Sequence, residues 1–219
     1  MNRVYWYLLL LVVVLTINAS YISAAEKLTL SKSGNTDYVI ALAGNATQTE
    51  KRAADELSNY LNKITGADFK VVSSVNIPDQ PVLAVGTGAA RTVIPSLDLN
   101  KSELGDDGIV VQACKRNLIL TGATNSRRGT IYAVYQFLED NAGVRWFTPS
   151  EEYVPNKPTL KVDVNNIRYV PALPYRDILY QDMIGGAGTG TTPQDSRIPF
   201  TVRMKVNGHF SGIDRKSVV

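Results

Sequence analysis

The residues predict a mixed α/β fold (α+β), with a mixed β-sheet and two main helices packed on one face. Three observations carry this. From Lys27 to Val164, short apolar runs of strand length alternate with longer stretches of helical period. One hairpin is plain: Gly108 to Ala113 and Leu118 to Thr121 flank the polar turn Lys115-Arg116-Asn117. Two segments have a helix-spaced apolar stripe and a glycine where a helix should stop.

In chain order, Leu28 to Leu30 and Tyr38 to Leu42 read as a first hairpin around Ser33-Gly34-Asn35. A helix from about Thr47 to Ile64 follows. Thr47 and Glu50 have capping-box spacing, Gly66 supplies the stop, and Ala53, Leu57, Tyr60, Leu61 and Ile64 form the buried stripe. Phe69 to Val72 and Val82 to Val85 are short apolar strands, and the Gly108–Thr121 hairpin comes next. In the second helix Ile131, Val134, Tyr135 and Leu138 recur at helical spacing, Gly143 ends it, and a short buried strand runs up to Pro149. Leu160, Val162 and Val164 alternate with Lys161 and Asp163 as a half-exposed closing strand. Residues 26–165 are thus expected to form one domain. Pro171-Ala-Leu-Pro174 reads as a linker, and Tyr175 to Tyr180 as a new strand. Gly185 to Pro193 reads as a flexible glycine-rich stretch.

Residues 1–25 stand apart. Arg3, the apolar run Tyr7 to Ile17 and the small residues Ser23-Ala24-Ala25 make a signal peptide, so the protein is expected to be exported, to periplasm or exterior. The apolar run is short for a membrane span, and no stable membrane association is expected after cleavage; an uncleaved anchor is the alternative. The remaining part has 22 basic and 20 acidic residues, which gives no reason to expect a nucleic-acid partner. Cys114 is the single cysteine, so no disulfide framework is available. It is read as a small buried hydrophobe.

Candidate chemistry is sparse. Val82-Leu-Ala-Val-Gly-Thr-Gly-Ala-Ala-Arg91 starts like a dinucleotide fingerprint, but Arg91 stands where a small residue is needed. Gly122 to Gly129 lacks the phosphate-loop spacing and its lysine, and Gly129 is read as permitting tight entry into the helix. With His209 the only histidine, no metal site and no cofactor are expected. The acid pairs Asp106-Asp107, Glu139-Asp140 and Glu151-Glu152 sit in loops or at helix ends. Adjacent side chains there point apart and do not form the facing carboxyl pair that glycoside hydrolysis needs, about 5–10 Å apart. No catalytic residue is assigned.

The segment Gly129-Thr-Ile-Tyr-Ala-Val-Tyr-Gln-Phe-Leu-Glu139, with Gly143-Val-Arg-Trp-Phe-Thr-Pro149, resembles the N-terminal domain of family 67 α-glucuronidases. It is also similar to the second domain of β-hexosaminidases and to secreted bacterial proteins of the same plan. The resemblance implies an accessory α/β layer ahead of a (β/α)8 barrel that carries the chemistry. The chain would then be a non-catalytic accessory domain of an exported α-glucuronidase-like glycoside hydrolase acting in polysaccharide breakdown. Its partner would be a carbohydrate substrate, bound through the barrel. A carbohydrate-binding or structural domain without hydrolase activity is the alternative. A barrel needs about 250 residues, so residues 166–219 are expected to hold a linker and only an incomplete beginning of one. The last six residues resemble translated adapter sequence. In the β-hexosaminidase-like pattern, an arginine in a Pro-x-x-x-Arg-like context hydrogen-bonds a sugar hydroxyl. That makes Arg176 the one substrate-binding candidate, the competing role being a pair with Asp177 or Asp182 at the domain junction. For Arg145 and Trp146, packing between domains is preferred over a sugar-stacking platform.

Overall fold

The computed structural model describes residues 26–73, 80–176 and 200–207. Ten strands and four α-helices are named along them. The strands are β1 (Glu26–Thr29), β2 (Val39–Leu42), β3 (Val71–Ser73), β4 (Val82–Val85), β5 (Ile109–Cys114), β6 (Asn117–Gly122), β7 (Arg145–Trp146), β8 (Glu152–Tyr153), β9 (Lys161–Val164) and β10 (Ile167–Tyr169). The helices are α1 (Gln48–Thr65), α2 (Thr87–Val93), α3 (Lys101–Leu104) and α4 (Gly129–Phe137), the last continued by a π-helical turn, Leu138–Ala142. Residues 200–203 add one further helical turn.

Six strands form one mixed sheet in the order β10-β5-β6-β4-β2-β3. β3, β2, β4 and β6 run parallel to their neighbours, and β5 and β10 close the other edge antiparallel. The strand side chains alternate between two cores. Ile40, Leu42, Leu83, Val85, Leu118 and Leu120 meet α1 and α4. Ala41, Val82, Ala84, Val110 and Ile119 face the opposite way. The two main helices lie on one face as expected, but the other face is covered too. The short helices α2 and α3, with Ala89, Ala90, Leu99 and Leu104, pack there. Burial on both faces explains why β4 is apolar at every position.

Several sequence expectations hold in detail. Thr47 and Glu50 form the capping box of α1, and Gly66 ends that helix in the left-handed region at φ 73°. Gly143 caps the second helix at φ 89°. β5 and β6 form the expected hairpin. The first hairpin does not form. β1 pairs antiparallel with β9 in a separate ribbon, while β2 lies inside the sheet between β4 and β3. Leu28, Leu30, Leu160, Val162 and Val164 press this ribbon on the α1/α4 core. Cys114, read as buried, is half-exposed at the end of β5. The sheet runs on to Tyr169, and Phe200, Val202 and Val206 also enter the main core. Only Tyr175 and Arg176 of the expected strand 175–180 are described, and neither is in a strand. Residues 1–25, read as a signal peptide, the glycine-rich stretch, His209 and the final residues lie outside the described residues. Among the described residues, no helix is long and apolar enough to cross a membrane.

Candidate functional site

Two side-chain clusters stand out, and both bring the residues after the linker against the sheet domain. The first is centred on Asp107, in the loop before β5. One carboxylate oxygen accepts from Arg128 Nε at 2.7 Å, at the start of α4. The other accepts from Arg176 Nη2 at 2.8 Å and from Asn207 Nδ2 at 2.5 Å. Arg176 also donates from Nε to the Lys205 carbonyl (3.0 Å) and from Nη1 to the Leu173 carbonyl (2.8 Å). Its own backbone N–H donates to Asn207 Oδ1. Beside it Tyr132, donating to the Val206 carbonyl, has its hydroxyl pKa pushed up by burial and by the Asp107 charge.

The Asp107–Arg176 pair is a wall shared by two clefts. A polar one of about 480 Å³ is lined by Asp106, Arg127, Arg128, Pro174, Tyr175 and others. A more apolar one of about 450 Å³ lies between Tyr132, Gln136, Tyr169, Met204 and Lys205. Arg176, the sequence candidate, therefore borders both clefts. Its described acidic partner is Asp107; Asp177 and Asp182 lie outside the described residues.

The second cluster is an aromatic socket. Trp146 Nε1 donates to the Tyr60 hydroxyl (2.8 Å), and that hydroxyl donates to Glu152 (2.5 Å). Tyr60 and Tyr135 both meet the indole edge-on, with centroids 5.6 and 5.3 Å away. Tyr135 donates to Glu56 at 3.1 Å. Into this group comes Arg203, with nitrogens 3.7 Å from Glu56 and 3.6 Å from Glu152. Its guanidinium lies 5.6 Å from the Tyr60 ring and 5.9 Å from the Trp146 ring, within cation–π range. Burial alone would raise the Glu152 carboxyl, but the Tyr60 hydrogen bond and the Lys63 and Arg203 charges hold it below its ordinary value. Burial raises the Tyr60 and Tyr135 hydroxyls, and Glu152 and Glu56 push them further. Arg203 responds oppositely. Burial works against its charge, yet the surrounding oxygens raise it.

Trp146 is therefore a packing residue, 6% exposed, while Phe147 beside it is 64% exposed. Arg145 turns its guanidinium back to the Glu139 and Val144 carbonyls. The adjacent acids separate as expected. Asp106 pairs with Lys101 while Asp107 takes the arginines, and Glu139 pairs with Lys205 while Asp140 accepts from Gln136. Burial would raise Asp106, but Lys101 and the Arg127 backbone N–H outweigh it and lower it.

The two glycine motifs also have structural roles. Gly86, at φ 86°, leads β4 into α2, where the Thr87 N–H donates to Glu50 Oε1 at 2.9 Å. A Cβ on Gly86 would stand 2.3 Å from that carboxylate oxygen. The position a phosphate would take at this helix start already holds an anion. Gly122 and Gly129 let α4 approach β6 closely, since a Cβ on Gly129 would meet the Gly122 Cα at 2.8 Å, and the Gly108 carbonyl at 2.4 Å. Among the described residues, no group of three or more His, Cys, Asp or Glu is placed to hold a metal ion.

Sequence reading missed Arg203 and the hub role of Asp107. A usable signal existed for Arg203. Arg203 stands among the apolar residues Phe200, Val202 and Val206 in a run of seven, a cation among apolar neighbours.

The family model described as Glycosyl hydrolase family 67 N-terminus matches residues 23–137, just over half of the 219-residue chain. No curated protein matches the chain.

Proposed function

Because the chain belongs to the Glycosyl hydrolase family 67 N-terminus family, we propose that it acts as a non-catalytic accessory domain of an exported glycoside hydrolase that breaks down polysaccharide. In this reading the chemistry resides in a barrel that begins after the linker, and the sugar is α-glucuronidase-type. The observation that supports it is where the acids go. The acids that border the two clefts and the socket described above are engaged by cations or hydroxyls: Asp107 by Arg128 and Arg176, Asp106 by Lys101, Glu56 by Tyr135 and Arg203, Glu152 by Tyr60, Lys63 and Arg203. A general acid needs a raised pKa, whereas Asp106 and Glu152 are lowered. The chain alone should release no sugar from aryl glycosides, aryl glucuronides included. Colour release above a no-protein control would overturn the reading. Export rests on the composition of residues 1–25, and is checked by the N-terminus of the protein recovered from the culture fluid or periplasm.

Arg176 is the proposed contact to carbohydrate. It stands on the rim of both clefts, where its planar guanidinium offers fixed donors that keep their charge. Arg176→Lys keeps the charge beside Asp107 but loses the planar fork. Loss of glucuronate-induced amide shifts, in a chain whose amide spectrum still shows it folded, is the expected result. Unchanged shifts would remove Arg176 from the binding role.

A further inference from the structure

The socket of Glu56, Tyr60, Tyr135, Trp146 and Glu152 has the makings of a docking surface rather than of ordinary core. Its residues come from α1, α4, β7 and β8, and all converge on one guanidinium. The segment that enters it is separated in sequence by more than forty residues from the nearest socket residue. That segment, 200–207, brings three buried apolar side chains, Phe200, Val202 and Val206, and two cations. Arg203 faces Glu56 and Glu152, and Lys205 Nζ reaches Glu139 at 2.5 Å on the π turn. Opposite charge, an apolar centre and an aromatic-seated arginine are what tight interfaces concentrate at their anchors.

We propose that this face of the domain is an interaction surface in its own right and that its occupant is the segment 200–207, with Arg203 as anchor. The contact holds residues 200–207 to the sheet domain without help from the covalent connection. The inference goes beyond the accessory-domain reading and is independent of any sugar.

The test uses the full chain with Trp6→Phe, which leaves Trp146 as its single tryptophan. A specific protease sequence replaces the glycine-rich stretch 185–193, and the cut protein is run on a sizing column at low salt. Both fragments are expected to elute together, with Trp146 emission unchanged by the cut. Arg203→Ala combined with Lys205→Ala should weaken the association by more than about tenfold and move Trp146 emission to the red. Arg203→Lys should fall between, and added salt should weaken the native and Arg203→Lys contacts while leaving the doubly substituted one nearly unchanged. Separation of the fragments carrying native Arg203 and Lys205 overturns the proposal, whether or not the domain stays folded. So does retention of the Arg203→Ala/Lys205→Ala fragment with unchanged affinity and emission.

Discussion

Asp107 holds two guanidinium groups and an amide with two oxygens, and it is almost buried while doing so. Removing it leaves Arg128, itself buried, beside Arg176 with no counter-charge between them. Asp107→Ala should therefore cost about 3–5 kcal/mol, read as a lower urea midpoint at unchanged slope. Asp107→Asn keeps one oxygen and should lose less. A loss under about 1 kcal/mol for the alanine variant, the range of exposed pairs, would mean that the hub is solvated and contributes little. The hub was not legible in the sequence. Asp107 looked like a loop acid because its partners Arg128, Arg176 and Asn207 lie 21, 69 and 100 residues away. Arg176 could be singled out from its position after Pro174, but its acidic partner could not.

At the scale of elements, local chemistry was readable and long-range pairing was not. The capping box of α1 needs only Thr47 and Glu50, three residues apart, and it forms as read. What the spacing could not tell is that Glu50 serves two helices, accepting from the Thr47 N–H at 2.8 Å and from the Thr87 N–H at 2.9 Å. Thr47→Ala should cost about 1 kcal/mol, the usual value of a cap. Glu50→Ala should cost more, because it leaves donors unpaired at the starts of both α1 and α2. Equal losses in paired urea melts would show that the second contact contributes nothing. The misassigned first hairpin has the same origin. Alternation at Leu28 and Leu30 fits any partner strand, and the one it takes, β9, is more than 130 residues away. Gly34 does reverse the chain, but its N–H donates to the Pro158 carbonyl, tying the turn to the β9 approach. The short covers α2 and α3 were invisible because four to seven residues hold too little periodic signal.

For the whole molecule, the titrating groups set two flanks of stability. The folded pKa values of Glu152 and Asp106 lie below their ordinary values of 4.5 and 3.8. Their contribution is present above those values and lost as the pH falls through the lower folded ones. Tyr60, Tyr132 and Tyr135 are raised above 10.0. Their contribution is present below pH 10 and lost as the pH rises beyond it toward the folded values. Melting temperature should therefore be flat between about pH 5 and pH 9 and fall on both sides. Removing Tyr135 by Tyr135→Phe should soften the alkaline fall, and an unaltered alkaline limb would remove that hydroxyl from the account. The broad architecture was legible because it rests on composition and period summed over many residues. The joint at Arg203 rests on one side chain.

Among the described residues, the six-stranded sheet ends in β3 at one edge and, at the other, in β10, a strand of only three residues. An exposed edge is a template on which a second chain can add itself, and the hazard grows with the length of unpaired backbone. At the β10 edge three residues offer a stranger few rungs to grip, so strand-by-strand addition there has little backbone to build on.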